Sequence, residues 1–558
     1  MKTITYYTTS SRDEFLKYSI IECSNNFLKS KYSYVCKLDS NEINNEIFKD
    51  FEKIVNDGYF KTMKNMTFYD MEKISMNNEE TLNILFELPC EETMDEYLEK
   101  EIYPPQQVNF IIRDFVNILL DLKEYEHHQV ILNNVSLQLK RVSYSPFSEI
   151  KLNPMAFLLP MLFEKNNYVY INKFLPKEEQ QKDEKNQLNY RNDLIQMIQF
   201  MFECIEHEES RKVIDTFISE LKSNKSIIDI KENEIIKTAL KSCEFEFEDI
   251  DDYEVDKIIA NGGIGEIKTC YRKDDKEMKL FAKKHVFQEQ KYLKESILSE
   301  GTILKMAHHE NFPKFIAMAK EIEKKSDEEN ETQNENAFYS NNSNVTYHLI
   351  MELCDTDVEQ YLYEYKEKYN KPISFEVACF IFKQIYSGMK YFHFELGLIH
   401  RDIKLRNFLV NYQKEHPEYP IIKLTDFGCS RANAKRNSTY LGFTRKYKAP
   451  EINIMAGSYD DRVDIFSLGI CLYELMFDKH PSDNENYKND TDKFMNEIEQ
   501  GEPLIFDKKF EIPEYKSVIE LLKKMITKKD KRICWEQLVN EDFIKYIENM
   551  KVNERKEE

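Results

Sequence analysis

The chain has 558 residues, room for two large domains at about 100–200 residues each, and 41% of them are hydrophobic, including 37 Phe and 34 Tyr, which excludes a disordered chain. Its net charge of −22, from 78 Lys and Arg against 100 Asp and Glu, argues against nucleic acid or an anionic membrane surface as the main partner. Eleven scattered cysteines without a Cys-x-x-Cys pair favour reduced thiols over a disulfide framework.

Taken from the amino terminus, Met1 to Phe15 lacks the apolar segment of a secretory signal. The longest apolar stretches, such as Phe157–Phe163, fall short of the roughly 20 residues of a membrane helix. A soluble, cytoplasmic chain with no membrane span is expected. Of twelve glycines only Gly58 precedes residue 250, so a glycine-rich phosphate loop hardly fits the first half. Residues 236–252 read as an acidic linker, most plainly at Glu246–Asp252. The segment Lys257–Ile267 reads as strand, glycine turn, strand, with Gly262, Gly263 and Gly265 at the turn. In isolation such a turn is more often an ordinary hairpin than a phosphate cradle.

Phe281-Ala282-Lys283-Lys284 lies in an extended run, where Lys284 alone could be a solvated strand lysine. Glu295–Met306 has helical periodicity, with Ile297, Leu298, Ile303 and Leu304 on one face. Glu300 on that helix could pair with Lys284 or simply meet solvent. Residues 321–344, rich in Glu, Asn, Lys and Ser, read as a mobile insertion. Tyr347–Ile350 is an apolar strand leading into Met351-Glu352-Leu353-Cys354. Then come Leu398-Ile399-His400-Arg401-Asp402-Ile403-Lys404-Leu405-Arg406-Asn407, Leu424-Thr425-Asp426-Phe427-Gly428 and Ala449-Pro450-Glu451. Residues 549–558 form a charged tail.

His-Arg-Asp with Asn five residues after the Asp, then Asp-Phe-Gly, then Ala-Pro-Glu, is a highly specific ordered set. On it, residues 253–548 closely resemble the eukaryotic protein kinases. The resemblance implies an α+β fold with a β-rich small lobe and a mainly helical large lobe. It implies ATP and Mg2+ as cofactors and protein substrates carrying Ser or Thr hydroxyls as partners. It further implies that Asp402 accepts the hydroxyl proton and that Lys404 balances charge at the γ-phosphoryl group. Lys284, held by Glu300, would reach the α- and β-phosphates. Asn407 and Asp426 would hold magnesium. Gly262, Gly263, Gly265, Ile267, Ala282, Met351, Glu352, Cys354 and Asp357 would surround the nucleotide, Met351 as gatekeeper and Asp357 at the ribose. Asp464–Gly469 resembles the anchoring helix of the large lobe, and Arg532 would pair with Glu451. Lys404 and Thr444 match the serine/threonine branch. Arg401 next to the base invites a phosphate on Ser438, Thr439 or Tyr440.

The sequence departs from the family pattern in Ala260 for a glycine, Leu405-Arg406 for Pro-Glu, an inserted Phe443, and Phe466 for Trp. A scaffold that binds nucleotide without turnover is the competing reading, and the full set of charged groups weighs against it.

Residues 1–235 echo the second half. Ile84–Cys90 with Asp95–Leu98 matches Ile350–Cys354 with Glu359–Leu362. Phe115–Tyr125 has the apolar spacing of the helix at Phe382–Phe392, Glu149–Leu152 resembles Ile422–Leu424, and Arg191–Glu203 resembles Arg462–Glu474. The chemistry is missing: Leu132-Asn133-Asn134 stands for His-Arg-Asp, Ser136 and Leu139 for Lys404 and Asn407, and Pro154-Met155-Ala156 for Asp-Phe-Gly. Val35-Cys36-Lys37 keeps a strand lysine. The resemblance implies a degenerate pseudokinase-like domain in tandem, in intramolecular contact with the second domain and regulating it.

Overall fold

The computed structural model describes residues 3–9, 15–23, 33–38, 53, 63, 70–76, 79–87, 105–123, 137–140, 146–152, 190–261 except 204, 206 and 224, 265–286, 291–322, 345–432, 445–453 and 460–550 except 488 and 511. It divides into one unit of Met1–Val142 with Phe147–Glu244, and a second of Ser143–Pro146 with Phe245–Glu558.

The first unit opens with strands rich in Thr, Tyr, Ile and Phe, residues that fit a pleated surface. These are β1 (Thr3–Thr9), β2 (Phe15–Cys23), β3 (Ser33–Leu38), β4 (Asp70–Met76) and β5 (Glu79–Glu87). They pair antiparallel in the order β1-β2-β3-β5-β4. Helix α1 (Pro105–Lys123) starts on a proline, which needs no hydrogen bond there. It buries Val108, Ile111, Ile112, Phe115, Val116, Leu119 and Leu122 at helical spacing. Strands β6 (Leu137–Lys140) and β7 (Glu149–Leu152) form a hairpin. Asp114 of α1 accepts the Ile150 N–H at 2.8 Å and so fixes that hairpin to the helix. Four helices follow: α2 (Tyr190–Met201), α3 (Glu208–Lys222), α4 (Ile227–Lys231) and α5 (Glu234–Ser242). His207, Ser226 and Asn233 cap the last three.

Residues 236–252, expected as an acidic linker, are ordered elements instead. Helix α5 runs through Ser242 with Ile236, Ala239 and Leu240 buried, and β8 (Phe247–Asp249) joins the sheet of the second unit. Charge dominated the reading, whereas the buried helical face and the ring of Phe247 decide the structure.

The second unit begins with β8, β9 (Tyr253–Asn261), β10 (Gly265–Arg272), β11 (Phe281–Val286), helix α6 (Lys291–Met306), β12 (Phe315–Ile322) and β13 (Val345–Glu352). Its sheet order is β8-β12-β13-β11-β10-β9, antiparallel throughout except for the parallel β8–β12 pair. Without β8, the strands of this unit follow first-second-third-fifth-fourth, the order also found in the first unit. Glu321 and Ile322, expected within the insertion, complete β12; residues 323–344 lie outside the described residues.

The rest is mainly helical. Helices α7 (Val358–Tyr369), α8 (Phe375–Phe394) and α9 (Arg462–Phe477) are followed by α10 (Thr491–Gln500), α11 (Lys516–Met525), α12 (Trp535–Leu538) and α13 (Asp542–Asn549). Short strands β14 (Thr356–Asp357), β16 (Phe408–Asn411) and β17 (Ile421–Leu424) form a small sheet, and β15 (Leu398–Ile399) pairs with β18 (Arg431–Ala432). Helix α9 is hydrophobic on all sides and buried almost throughout, so it is the axis of this lobe. Behind it Arg532 grips Glu451 with both guanidinium nitrogens, at 2.5 and 3.1 Å, and stacks over Phe466 at 4.9 Å. Of the expected tail 549–558, Asn549 ends α13, and residues 551–558 lie outside the described residues.

The packing at Gly469 gives a stability prediction. A Cβ there would stand 2.9 Å from Ile526 Cγ1 and 3.0 Å from Met525 Cβ. Alanine improves helix propensity by about 1 kcal/mol, but overpacking costs about 1–3 kcal/mol. Because Met525 Cβ moves only with its backbone, the clash wins. Gly469→Ala should lower the denaturation midpoint, read by chemical unfolding, and an unchanged midpoint would show that this contact relaxes freely.

Candidate active site

Side chains alternate across a strand, and antiparallel partners share a face. Lys284 pairs with Ile267, and Ala282 pairs with Met351. Ile267, Ala282, Lys284 and Met351 therefore line one face of the sheet, with Gly265 two residues from Ile267 on β10. Gly262 and Gly263 lie outside the described residues.

On that face Lys284 Nζ meets Glu300 of α6 at 2.9 and 2.8 Å, and Asp426 Oδ1 at 3.0 Å. Burial opposes the Lys284 charge, but Asp426 and Glu300 outweigh it and hold the ammonium above its ordinary pKa. Lys284 in turn holds the Asp426 carboxyl below the usual carboxylate range. The acids differ in access: the Glu300 side chain is 2% exposed and the Asp426 side chain 39%. Glu300 is committed to the lysine, and Asp426 can turn to a ligand from solvent.

The catalytic loop is built from the other side. Lys404 Nζ lies 2.6 Å from Asp402 Oδ2. The Asn407 amide donates to Asp402 O at 2.7 Å and to its Oδ2 at 3.2 Å. Thr425, next to Asp426, donates its N–H to Asn407 O at 2.9 Å, so one backbone bond brings Asp426 and Asn407 together. Arg401 and Asp426 have φ values of 69° and 64°, the left-handed region that side chains rarely adopt. The first is held from below: buried Asp464 on α9 accepts the N–H groups of His400 and Arg401 at 2.6 and 2.8 Å. Arg401 donates its Nε to Cys429 O at 2.6 Å. Phe427 stacks against Phe312 and Phe392 with ring centres 5.6 and 5.5 Å away, and His400 lies 5.5 Å from it.

The expected hinge runs from Met351 on β13 through Cys354 to Asp357. The Glu352 side chain is fixed to the scaffold by Lys423 at 3.1 Å, Asn411 at 3.0 Å and the Lys314 N–H at 3.0 Å, and its own N–H donates to Lys314 O at 2.9 Å. Asp357 caps α7 by accepting the Gln360 N–H at 3.0 Å.

Lys423 and the anchoring contacts of Asp464 were not anticipated. A lysine on a strand gives no sign of burial, yet Lys423 Nζ also donates to Glu310 O at 3.1 Å and Phe312 O at 3.2 Å. Ser438, Thr439, Tyr440 and Thr444 lie outside the described residues, as do Leu132–Asn134, Ser136 and Pro154–Ala156 of the first unit.

The donor set fits magnesium and a nucleotide. Asp426 offers an accessible carboxylate, and Asn407, its nitrogen engaged by Asp402, keeps a carbonyl oxygen as a hard neutral donor. Among the described residues no three His, Cys, Asp or Glu side chains cluster closely enough to hold a metal alone. A cation here would complete its shell from phosphate oxygens and water.

A protein kinase domain family model matches residues 253–544. Calcium-dependent protein kinase 4 of Plasmodium berghei is 29% identical over 286 residues, 50% of this chain and 45% of that protein. Putative mitogen-activated protein kinase 14C of Drosophila melanogaster is 27% identical over 260 residues, 46% of this chain and 63% of that protein. Probable serine/threonine-protein kinase fhkD of Dictyostelium discoideum is 28% identical over 290 residues, 50% of this chain and 34% of that protein. The chain thus spans less than two thirds of these relatives' own length. Among the described residues, no helix is long and apolar enough to cross a membrane.

Burial pushes the Asp464 carboxyl from 3.8 up to about 7, against the two N–H groups it accepts. Between those values the folded state holds a proton that the unfolded state has released. The carboxyl's contribution to stability is therefore full below its unfolded pKa and shrinks as pH rises towards its folded one, by up to about 1.4 kcal/mol per pH unit. Asparagine at this position does not titrate. The stability difference between wild type and Asp464→Asn, from denaturation at several pH values, should favour wild type more at about pH 5 than at about pH 7. A difference independent of pH would contradict this.

Proposed function

The chain belongs to the protein kinase domain family, and from that premise we propose that it is a serine/threonine protein kinase, moving the γ-phosphoryl group of ATP to hydroxyl side chains of protein substrates. The observation that carries this reading is the accessible Asp426 carboxylate, held 3.0 Å from Lys284 and next to Thr425, whose N–H bonds Asn407. Asp402 accepts the proton of the incoming hydroxyl, and Lys404, 2.6 Å from it, keeps that carboxylate oriented and adds positive charge where the phosphoryl group passes. Lys284 binds the α- and β-phosphates, and Glu300 stops its ammonium from swinging away. Asp426 and Asn407 hold magnesium, which when bound neutralises charge on the phosphates. The sheet face of Ile267, Ala282 and Met351 receives the adenine, with Cys354 at the hinge and Asp357 near the ribose. Lys404 supports a serine/threonine rather than a tyrosine acceptor.

Residues 1–235 are read as a pseudokinase-like domain that regulates the second through intramolecular contact. The shared first-second-third-fifth-fourth strand order supports this, together with the ordered sequence echoes that lack catalytic groups.

The tests use the full chain. Asp426→Asn should lower ATP-dependent phosphorylation of a general substrate such as casein by about 10²–10³-fold, with the fold retained by circular dichroism. Chelating magnesium should do the same to wild type. Full activity of the variant would refute the kinase reading. Lys284→Met should abolish transfer, whereas Lys37→Met, at the related strand position of the first domain, should leave the chemical step in place. Equal loss in both would overturn the assignment of a degenerate first domain.

A further inference from the structure

Phe245 opens the long segment of the second unit, and Glu244 closes the first unit. The peptide between them is one of the points at which the chain passes from one unit to the other. Two residues on, β8 adds to the sheet edge beside β12, with Phe247 in register with Met318. The ring of Phe245 is half-buried and surrounded by the second unit's own elements. It lies 6.0 Å from the ring of Phe315 and 5.7 Å from that of Phe247, and Lys305 Nζ sits 5.6 Å over it.

Lys305 and Gly301 are one turn apart on α6 and share a face. A Cβ added to Gly301 would stand 3.3 Å from Phe245 Cζ and 2.1 Å from Met318 Cε. The glycine is therefore a notch in the helix, filled by Met318 from β12 and by the ring of Phe245. Gly301 directly follows Glu300, whose carboxylate holds Lys284 at 2.8 Å.

We propose that Phe245 is a positioning residue for the Lys284–Glu300 ion pair: seated in the Gly301 notch, it sets where α6 lies on the sheet. The proposal rests on the kinase reading above and deepens it, because the same ring is one peptide from the first unit. No covalent step is involved. The ion pair has a short reach, and a displacement of about 1 Å in such groups changes rates by about 10²-fold.

The experiment compares wild type, Phe245→Ala and Phe245→Leu in the full chain, each alone and in a Glu300→Gln background, with Asp426→Asn as control. Casein phosphorylation gives kcat and KM for ATP, and hydrogen exchange reads the amides of residues 291–306. Phe245→Ala should lower kcat/KM for ATP by about tenfold and speed exchange in α6, and Phe245→Leu, which keeps an apolar plug, should restore most of both. In the Glu300→Gln background, Phe245→Ala should add little, because the residue it acts through is already gone. A ring that merely stabilises the fold would lower the melting temperature and leave kcat/KM for ATP alone, or would show the same fold loss in both backgrounds; either result overturns the proposal. If Phe245→Ala does not fold, Phe245→Val, whose side chain is too short to fill the notch, takes its place: faster α6 exchange with a raised KM for ATP supports the proposal, and an unchanged pair of values defeats it. Full activity of Asp426→Asn would instead defeat the kinase reading beneath it.

Discussion

One lysine between two carboxylates ties together parts of the second unit that are remote in sequence. Lys284 on β11, Glu300 on α6 and Asp426 after β17 meet within 3.0 Å. A buried ammonium left without its partner is unfavourable by about 3–5 kcal/mol, so each element constrains the other two. The arrangement is unequal by design of its burial. Glu300 is sealed in, where it holds the lysine and accepts a backbone hydrogen bond from Phe427. Asp426 faces solvent and can exchange the lysine for a cation without leaving a buried charge unpaired. That difference, more than the presence of either acid, makes the site able to change state.

The loops around this trio have irregular backbones, and buried polar groups hold them. Arg401 and Asp426 sit at positive φ without being glycine, a conformation that persists only where the surroundings over-determine it. At Arg401 the constraint is Asp464, which takes two consecutive N–H groups from the loop. At Asp426 it is the neighbouring Thr425, bonded to Asn407 and to the buried His400 ring, and Phe427, stacked between Phe312 and Phe392. Lys423 then binds the carbonyls of Glu310 and Phe312 and the carboxylate of Glu352. Strand β17 thereby links the turn after α6 to the hinge. Every one of these groups would be costly to bury unpaired, so the catalytic loop, the α6 turn and the hinge are fixed as a set.

What the sequence disclosed follows from what each residue is for. Asp402, Asn407 and Asp426 stood out because they fall in an ordered set of motifs specific to one family, and the structure brings them together. Helices α8 and α9 were legible because their buried positions repeat or saturate. Residues 236–252 were misread because nine of their side chains are charged or polar and exposed, while a few apolar ones, among them Ile236, Leu240 and Phe247, make the contacts. Lys423 and Asp464 were opaque in role for a different reason. Most of their partners are main-chain atoms, which carry no sequence signature. Asp357 shows the same limit: its cap on α7 depends on where a helix begins, and the sequence pattern located that start only through the structure.

The two sheets sharpen the distinction between a fold and a chemistry. Strand order is set by many apolar and β-prone positions, each replaceable by a similar side chain, so it survives extensive change. Catalysis is set by a few charged groups with no tolerated replacement. Under the reading proposed for residues 1–235, a strand order could outlast the loss of every catalytic group while keeping surfaces able to bear on a neighbour. The joint between Glu244 and Phe245 gives such a neighbour a mechanical handle, since the first ring beyond it touches the helix that carries Glu300. On the two proposals above, a domain without chemistry would act by changing the strain on a peptide whose next side chain sits against α6.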